Sequence, residues 1–314
     1  MSQPRKIIID TDPGQDDAAA IMLAFGSADE LEVLGITVVA GNVPLSLTAR
    51  NARILCELCG RPDVKVFAGA DAPIRRPLVT AEHVHGKTGL DGPDLKEPTM
   101  ALQDMHAVDF IVETIRSEPP GSVTLCTLGP LTNIALALEK APDLAGRIAE
   151  IVMMGGGFFE GGNITPAAEF NVYVDPEAAD AVFRSGIPIV MMPLDVTHKV
   201  LTHRTRVEKL RAIGTQPALA LVAMLEFFER FDVEKYGSDG GPLHDPTVIA
   251  YLLRPELFSG RQCNVEVETT SPLTAGMTVV DWWQVTGRNS NARVMREIDA
   301  DGFFDLLTER VARL

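Results

Sequence analysis

Apolar and polar positions alternate between two patterns over the first two hundred residues. Short, continuously apolar runs read as strands: Lys6 to Asp10, Val33 to Gly41, Val64 to Gly69, Val123 to Gly129, Ile148 to Gly156 and Ile187 to Pro193. Between them lie stretches with helical spacing: Ala18 to Gly26, Leu47 to Leu58, Ala107 to Ser117, Leu131 to Lys140 and Pro176 to Arg184. This βαβα alternation predicts an α/β fold with an open, mostly parallel, Rossmann-like sheet flanked by helices. A helical stretch follows from His203 to Phe231. Strand-like runs at Cys263 to Val267 and Gly276 to Val280 are expected to extend or flank the same sheet. The loops rich in glycine and proline (68–77, 83–98, 155–165 and 238–246) are short and carry apolar or chemically useful residues, which is unlike a disordered linker. A single domain over residues 1–314 is expected.

The first strand runs straight into an acidic loop. Asp10, Asp12, Asp16 and Asp17 place four carboxylates within eight residues, just ahead of an apolar helix. Like charges at that density raise one another's pKa or require a compensating cation. Oxygen-only donors favour calcium or magnesium, and open α/β sheets collect ligands at the carboxyl ends of their strands, where this loop sits. Helix capping by Asp16 or Asp17 is the plainer alternative, but it needs one carboxylate and not four. Asp245, between His244 and Pro246 on a glycine-rich loop, is a candidate closing ligand, with an Asx-turn before proline as its alternative.

A second polar constellation runs from Met154 through Gly155-Gly156-Gly157, Gly161-Gly162-Asn163 and Glu169-Phe170-Asn171. Its glycines allow close backbone approach, and its amides and carboxylate suit the hydroxyls of a polyhydroxylated ligand better than a phosphate, which would call for lysine or arginine. A glycine-rich surface loop is the alternative. No dinucleotide fingerprint follows the first strand, and neither a phosphate-binding lysine motif nor a G-x-S-x-G elbow is present. NAD, ATP and the common serine-hydrolase mechanism are therefore discounted. His85 and His244 lie in the suspect loops and could donate a proton near neutral pH, whereas His106, His198 and His203 have no such placement.

Composition narrows the partners. With 314 residues, 46% hydrophobic, the chain can bury a large core, and 43 acidic against 28 basic residues give a formal charge of −15 that disfavours nucleic acid and anionic membrane surfaces. No stretch approaches 18 uninterrupted apolar residues and no signal-peptide pattern opens the sequence, so a cytoplasmic location is expected. Four cysteines are too few for a disulfide framework. Cys56 and Cys59 form a C-x-x-C inside a helical pattern and read as packing.

Taken together, the acidic loop 10–17, Gly41-Asn42, Leu128-Gly129-Pro130-Leu131-Thr132-Asn133, the 154–171 segment and His244-Asp245-Pro246 resemble the inosine-uridine-preferring nucleoside hydrolases across nearly the whole chain. The resemblance implies calcium-dependent (Ca2+) hydrolysis of the N-glycosidic bond of a ribonucleoside to free base and ribose, on an open α/β sheet. It implies that Asp12, Asp17, Asp245 and the backbone carbonyl of Leu128 ligate calcium, although threonine often occupies that last position. By the same resemblance Asp10 would orient its neighbours, and Asp12 would accept a proton from the attacking water. The transition state would resemble an oxocarbenium ion, which a carboxylate-rich pocket favours. Asp16, Asn42, Asn163, Glu169 and Asn171, with the Met154 backbone, would hold the ribose hydroxyls. His244 would protonate the leaving base, and His85 and Tyr236 would lie beside it. Trp282 and Trp283 lie outside these loops, which favours inosine and pyrimidine nucleosides over strict purine selectivity. Family members commonly form homodimers or homotetramers and serve nucleoside salvage. A modified ribosyl substrate, a metal-dependent nucleoside-binding protein without turnover, and a purely structural ion are the competing readings.

Overall fold

The computed structural model of the chain describes residues 3–236 and 240–314, with the side chains of 231–236 outside that description. In chain order it begins β1 (Arg5–Thr11), α1 (Gln15–Phe25), β2 (Leu31–Val38), α2 (Leu45–Leu58), β3 (Val66–Ala68), α3 (Glu82–His85), α4 (Ala107–Ser117), β4 (Val123–Thr127), α5 (Thr132–Lys140) and β5 (Ile148–Met154). It continues α6 (Phe170–Val174), α7 (Pro176–Phe183), β6 (Ile189–Met192), α8 (Leu194–Thr197), α9 (Arg204–Arg211), α10 (Gln216–Tyr236) and α11 (Pro246–Leu253). The chain closes with β7 (Phe258–Cys263), β8 (Val265–Val267), β9 (Thr278–Val280), β10 (Ala292–Ile298) and α12 (Ala300–Val311).

Eight strands form one sheet in the order β3-β2-β1-β4-β5-β6-β10-β7, parallel except for the antiparallel edge strand β7. The period-two geometry of a strand explains why the apolar runs are continuous. Ile7 and Ile9 enter the layer that also holds α1, α2, α10, α11 and α12, while Ile8 enters the opposite layer with α4, α5 and α7. In β5, Val152 and Met154 face the first layer, and Ile151 and Met153 the second. The strand order reverses at β1: β2 and β3 extend to one side of it, β4 and its successors to the other. A crevice at the carboxyl ends of β1 and β4 is the consequence, and such reversals are where open α/β sheets hold ligands.

Several boundaries differ from the sequence reading. The first helix starts at Gln15, three residues before Ala18, because Asp17 folds back to accept the Gly14 amide at 2.9 Å and closes the first turn. The stretch 203–231 is two helices, broken where Gly214 adopts φ +75°. A short helix, α3, interrupts the loop assigned to 83–98. The run Cys263 to Val267 does not continue as one strand: Cys263 ends β7, the Val265 amide bonds to Asn291 Oδ1 at 2.8 Å, and β8 pairs only with β9 in a separate two-stranded sheet. The sheet is extended instead by β10 and β7. Cys56 and Cys59 are buried free thiols, and burial pushes the Cys56 thiol up to about 12.

Candidate active site

The acidic loop of β1 is buried at that crevice. Asp10 Oδ1 accepts hydrogen bonds from Thr37 Oγ1 at 2.5 Å and Asn133 Nδ2 at 2.8 Å, so the end of β1 is tied to β2 and α5. Asp12 Oδ2 accepts from the Asn42 amide at 2.7 Å. The rest of its carboxylate fits only because two neighbours lack side chains: a Cβ at Gly41 would lie 2.0 Å from Asp12 Oδ2, and one at Gly129 would lie 2.3 Å from Oδ1. Asp17 accepts from Thr11 Oγ1, from the Gly14 amide and, at 3.2 Å, from Asn42 Nδ2. Asp245 arrives from the far end of the chain, one residue before α11, and carboxylate oxygens of Asp16, Asp17 and Asp245 all lie within 4.8 Å of one another.

Such a cluster is electrostatically incomplete. Burial, then the charge of Asp17, raises the pKa of Asp12 well above the carboxylate range. The same two causes push Asp16 up to about 8, and burial alone raises Asp17. Asp245 is raised well above its ordinary value by burial, then by Asp16, Asp17 and Asp12. Burial also lifts Asp10 to about 7, against the bonds from Thr37 and Asn133. Buried Asp12 Oδ1, Asp16 Oδ1 and Asp10 Oδ2 have no hydrogen-bond partner among the described residues. Acceptor-only oxygens, buried, unpartnered and mutually repelling, are what a hard divalent cation satisfies, so the donor set fits calcium or magnesium. The Leu128 carbonyl at the end of β4 accepts from Asn171 Nδ2 at 2.6 Å and retains a second lone pair.

Above the acids opens a cavity of about 500 Å³. Its lining includes Asp16, Asn42, Leu128, Met154, Asn163, Glu169 and Asn171, which brings together the four segments 10–17, 41–42, 128–133 and 154–171. Glu169 holds this lining in shape: its carboxylate accepts from the amides of Gly156 at 2.8 Å, Asn171 at 2.8 Å and Val172 at 3.1 Å, while burial raises its pKa to about 7. Gly156 needs its φ of +77°, and a Cβ there would lie 2.4 Å from Met191 Cε. Asn163 Oδ1 accepts from the Phe170 amide at 2.9 Å, and Asn171 Nδ2 also reaches the Met154 carbonyl at 3.3 Å.

The cavity lining also includes aromatic, imidazole and apolar side chains, among them His85, Phe228, His198, Leu201, Pro242 and His244. His244 Nδ1 lies 2.8 Å from Thr197 Oγ1, and its ring centre is 5.7 Å from that of His198. Burial, followed by the neighbouring His198 and His85, lowers its pKa well below the ordinary histidine value. His85 stacks on Phe228 at 5.3 Å, and burial lowers it to about 3. Tyr236, expected beside the base, has a side chain that lies outside the described residues.

Residues that sequence reasoning passed over complete the site. Asp195 accepts from the amides of Phe158 at 2.9 Å, Phe159 at 2.8 Å and Glu160 at 3.2 Å, pinning the loop that carries the glycine-rich wall. Trp282, outside the motif loops in sequence, stacks on Phe158 of that loop at 5.3 Å. Thr197, His198 and Asp195 all follow β6, so their position after a parallel strand was the available signal. Gln15 had none beyond its place between Gly14 and Asp16.

The family model for inosine-uridine preferring nucleoside hydrolases matches residues 7–305. A pyrimidine-specific ribonucleoside hydrolase, RihA, of Salmonella agona is 50% identical over 306 residues, covering 97% of each chain. An uncharacterized protein of Schizosaccharomyces pombe is 53% identical over 309 residues, covering 98% of this chain and 99% of that one. Among solved structures, a purine-preferring ribonucleoside hydrolase from Gardnerella vaginalis superposes with a TM-score of 0.91 at 32% identity, covering 98% of both chains.

Proposed function

The chain belongs to the inosine-uridine preferring nucleoside hydrolase family and is a ribonucleoside hydrolase, and from that premise we propose that it splits pyrimidine ribonucleosides, and inosine less readily, into base and ribose in a calcium-dependent reaction. The observation that carries the metal part is the convergence of buried Asp16, Asp17 and Asp245 oxygens within 4.8 Å beside the unpartnered Asp12 Oδ1. Asp12, Asp17, Asp245 and the Leu128 carbonyl would hold the cation. When bound, it compensates the carboxylate charge and lowers the pKa of a ligated water. Pyrimidine preference rests on the pyrimidine-specific relative at 50% identity.

The chain's own groups then divide the work. Asp12 takes the proton of the attacking water, while the Asn42 amide on Oδ2 keeps the carboxylate from rotating. Asp16, Asn42, Asn163, Glu169 and Asn171, with the Met154 backbone, grip the ribose hydroxyls, and the surrounding carboxylates favour the positive charge that develops as the glycosidic bond breaks. Asp10 positions the loop. His244, expected as the acid, has a pKa held well below the ordinary histidine value. Its neutral ring would stabilise the departing base by a hydrogen bond from Nε2, with Nδ1 against Thr197 Oγ1, and water would supply the proton.

A direct test follows ribose release from uridine, cytidine, inosine and adenosine by the wild type and by Asp12→Asn. The wild type should prefer the two pyrimidines, and Asp12→Asn should lose about 10²-fold or more in kcat while still folding. Turnover retained in Asp12→Asn would remove the general-base role, and adenosine as best substrate would remove the pyrimidine preference.

A further inference from the structure

His85 is held by a contact that settles which of its nitrogens carries the proton. Gln15 Nε2 lies 2.9 Å from the His85 carbonyl and 3.2 Å from the Asp91 carbonyl. Both partners only accept, so this atom must be the amide nitrogen; turning the amide over would set its oxygen against two carbonyl oxygens. Gln15 Oε1 is then an acceptor, and it lies 2.8 Å from His85 Nδ1. An acceptor there requires hydrogen on Nδ1. Burial lowers the imidazole's proton affinity, in keeping with a neutral ring, and a neutral ring with Nδ1–H carries a bare lone pair on Nε2.

The ring's orientation puts that lone pair to use. A Cβ at Gly14 would lie 2.4 Å from His85 Nδ1 and 2.8 Å from Cε1, so this edge of the ring rests on the acidic loop. One face stacks on Phe228, and the Nε2–Cδ2 edge is left for the cavity, which His85 lines. Among the described residues Nε2 has no hydrogen-bond partner. The amides and carboxylates proposed for ribose line the same cavity, and the His85 and Phe228 rings give it a flat surface suited to a base.

We infer that Gln15 fixes His85 as the Nδ1–H tautomer, making Nε2 an acceptor that selects nucleobases presenting an N–H donor. The inference rests on the ribonucleoside reading of the cavity. In uridine the only ring N–H is N3–H, so uridine and 3-methyluridine differ at the atom that matters. Gln15 is a specificity-determining positioning residue, acting through His85. A neighbour limited to shaping the loop would affect both substrates alike.

The experiment combines two readouts on the calcium-loaded enzyme. The first is the imidazole 15N spectrum, which distinguishes protonated from bare ring nitrogens. His85 should show hydrogen on Nδ1 and a bare Nε2 in the wild type, and a mixture of tautomers in Gln15→Met, which keeps the side chain's length but has no amide. The second is kcat/KM for uridine against 3-methyluridine. The wild type should favour uridine by about tenfold or more, and Gln15→Met should shrink that ratio several-fold through loss of uridine turnover. Loosening of the loop alone would lower both rates and leave the ratio unchanged, which would overturn the inference; so would a wild-type His85 carrying its hydrogen on Nε2. Absence of uridine hydrolysis by the wild type would overturn the ribonucleoside reading instead, and the spectrum would still decide the tautomer.

Discussion

At the scale of single residues, the unusual quantity is the number of carboxyl groups kept out of water without a basic partner. Asp16 is pushed up to about 8, Asp10 and Glu169 to about 7, and Asp12 and Asp245 are raised well above the ordinary carboxylate value, all with burial as the first cause. An acid whose folded pKa exceeds its unfolded value binds more protons when folded, so its contribution to stability is complete below about pH 4 and is lost as pH rises through the folded value. The melting temperature of metal-free protein should therefore fall between pH 5 and 8.5, and saturating calcium should flatten that slope by replacing the protons. Thermal melts across that range, with and without chelator, check it; a flat metal-free profile would mean that the acids are solvated. Single residues also mark where sequence reading fails. The four aspartates of loop 10–17 are legible because they are neighbours in the chain. Gln15, Thr197 and Asp195 are ordinary polar residues until the fold sets them against His85, His244 and the 158–160 amides.

At the scale of elements, the site depends on how closely the ends of three strands approach. Asp12 leaves β1 with its carboxylate between Gly41, beyond β2, and Gly129, beyond β4. Gly129→Ala should displace that carboxylate and lower kcat by about 10²-fold, the scale expected of a misplacement near 1 Å. Gly146→Ala, where a Cβ would meet nothing within 4 Å, should leave kcat unchanged. Steady-state rates on uridine for the two variants decide the matter, and equal rates would show that the strand ends can relax. The elements of the parallel half were readable because strands covered on both faces leave unbroken apolar runs. The late strands were not: β7 is an edge strand with exposed Ser259, Arg261 and Gln262, and β10 carries Arg293, Arg296 and Glu297 among its apolar residues. Their hydrophobic signal is interrupted because solvent reaches side chains on the edge strand β7 and on its neighbour β10.

At the scale of the whole molecule, a 314-residue chain is arranged so that its first loop and a residue from its last third meet at one point. Asp245 was legible as a candidate, but the contact of its carboxylate with those of Asp16 and Asp17 is a product of the fold, set by α11 packing on α1. Among the described residues no helix is long and apolar enough to cross a membrane, and the cavity is lined by residues of the acidic loop together with aromatic side chains. The central claim is that this convergence holds calcium for hydrolysis of a ribonucleoside. The most direct measurement is calorimetric titration of chelator-stripped protein with calcium, followed by ribose release from uridine on the same samples. One calcium per chain should bind, with activity rising from near zero in step with occupancy, and Asp245→Asn should weaken both together. Full activity in the stripped protein, or calcium binding that leaves the rate unchanged, would contradict it.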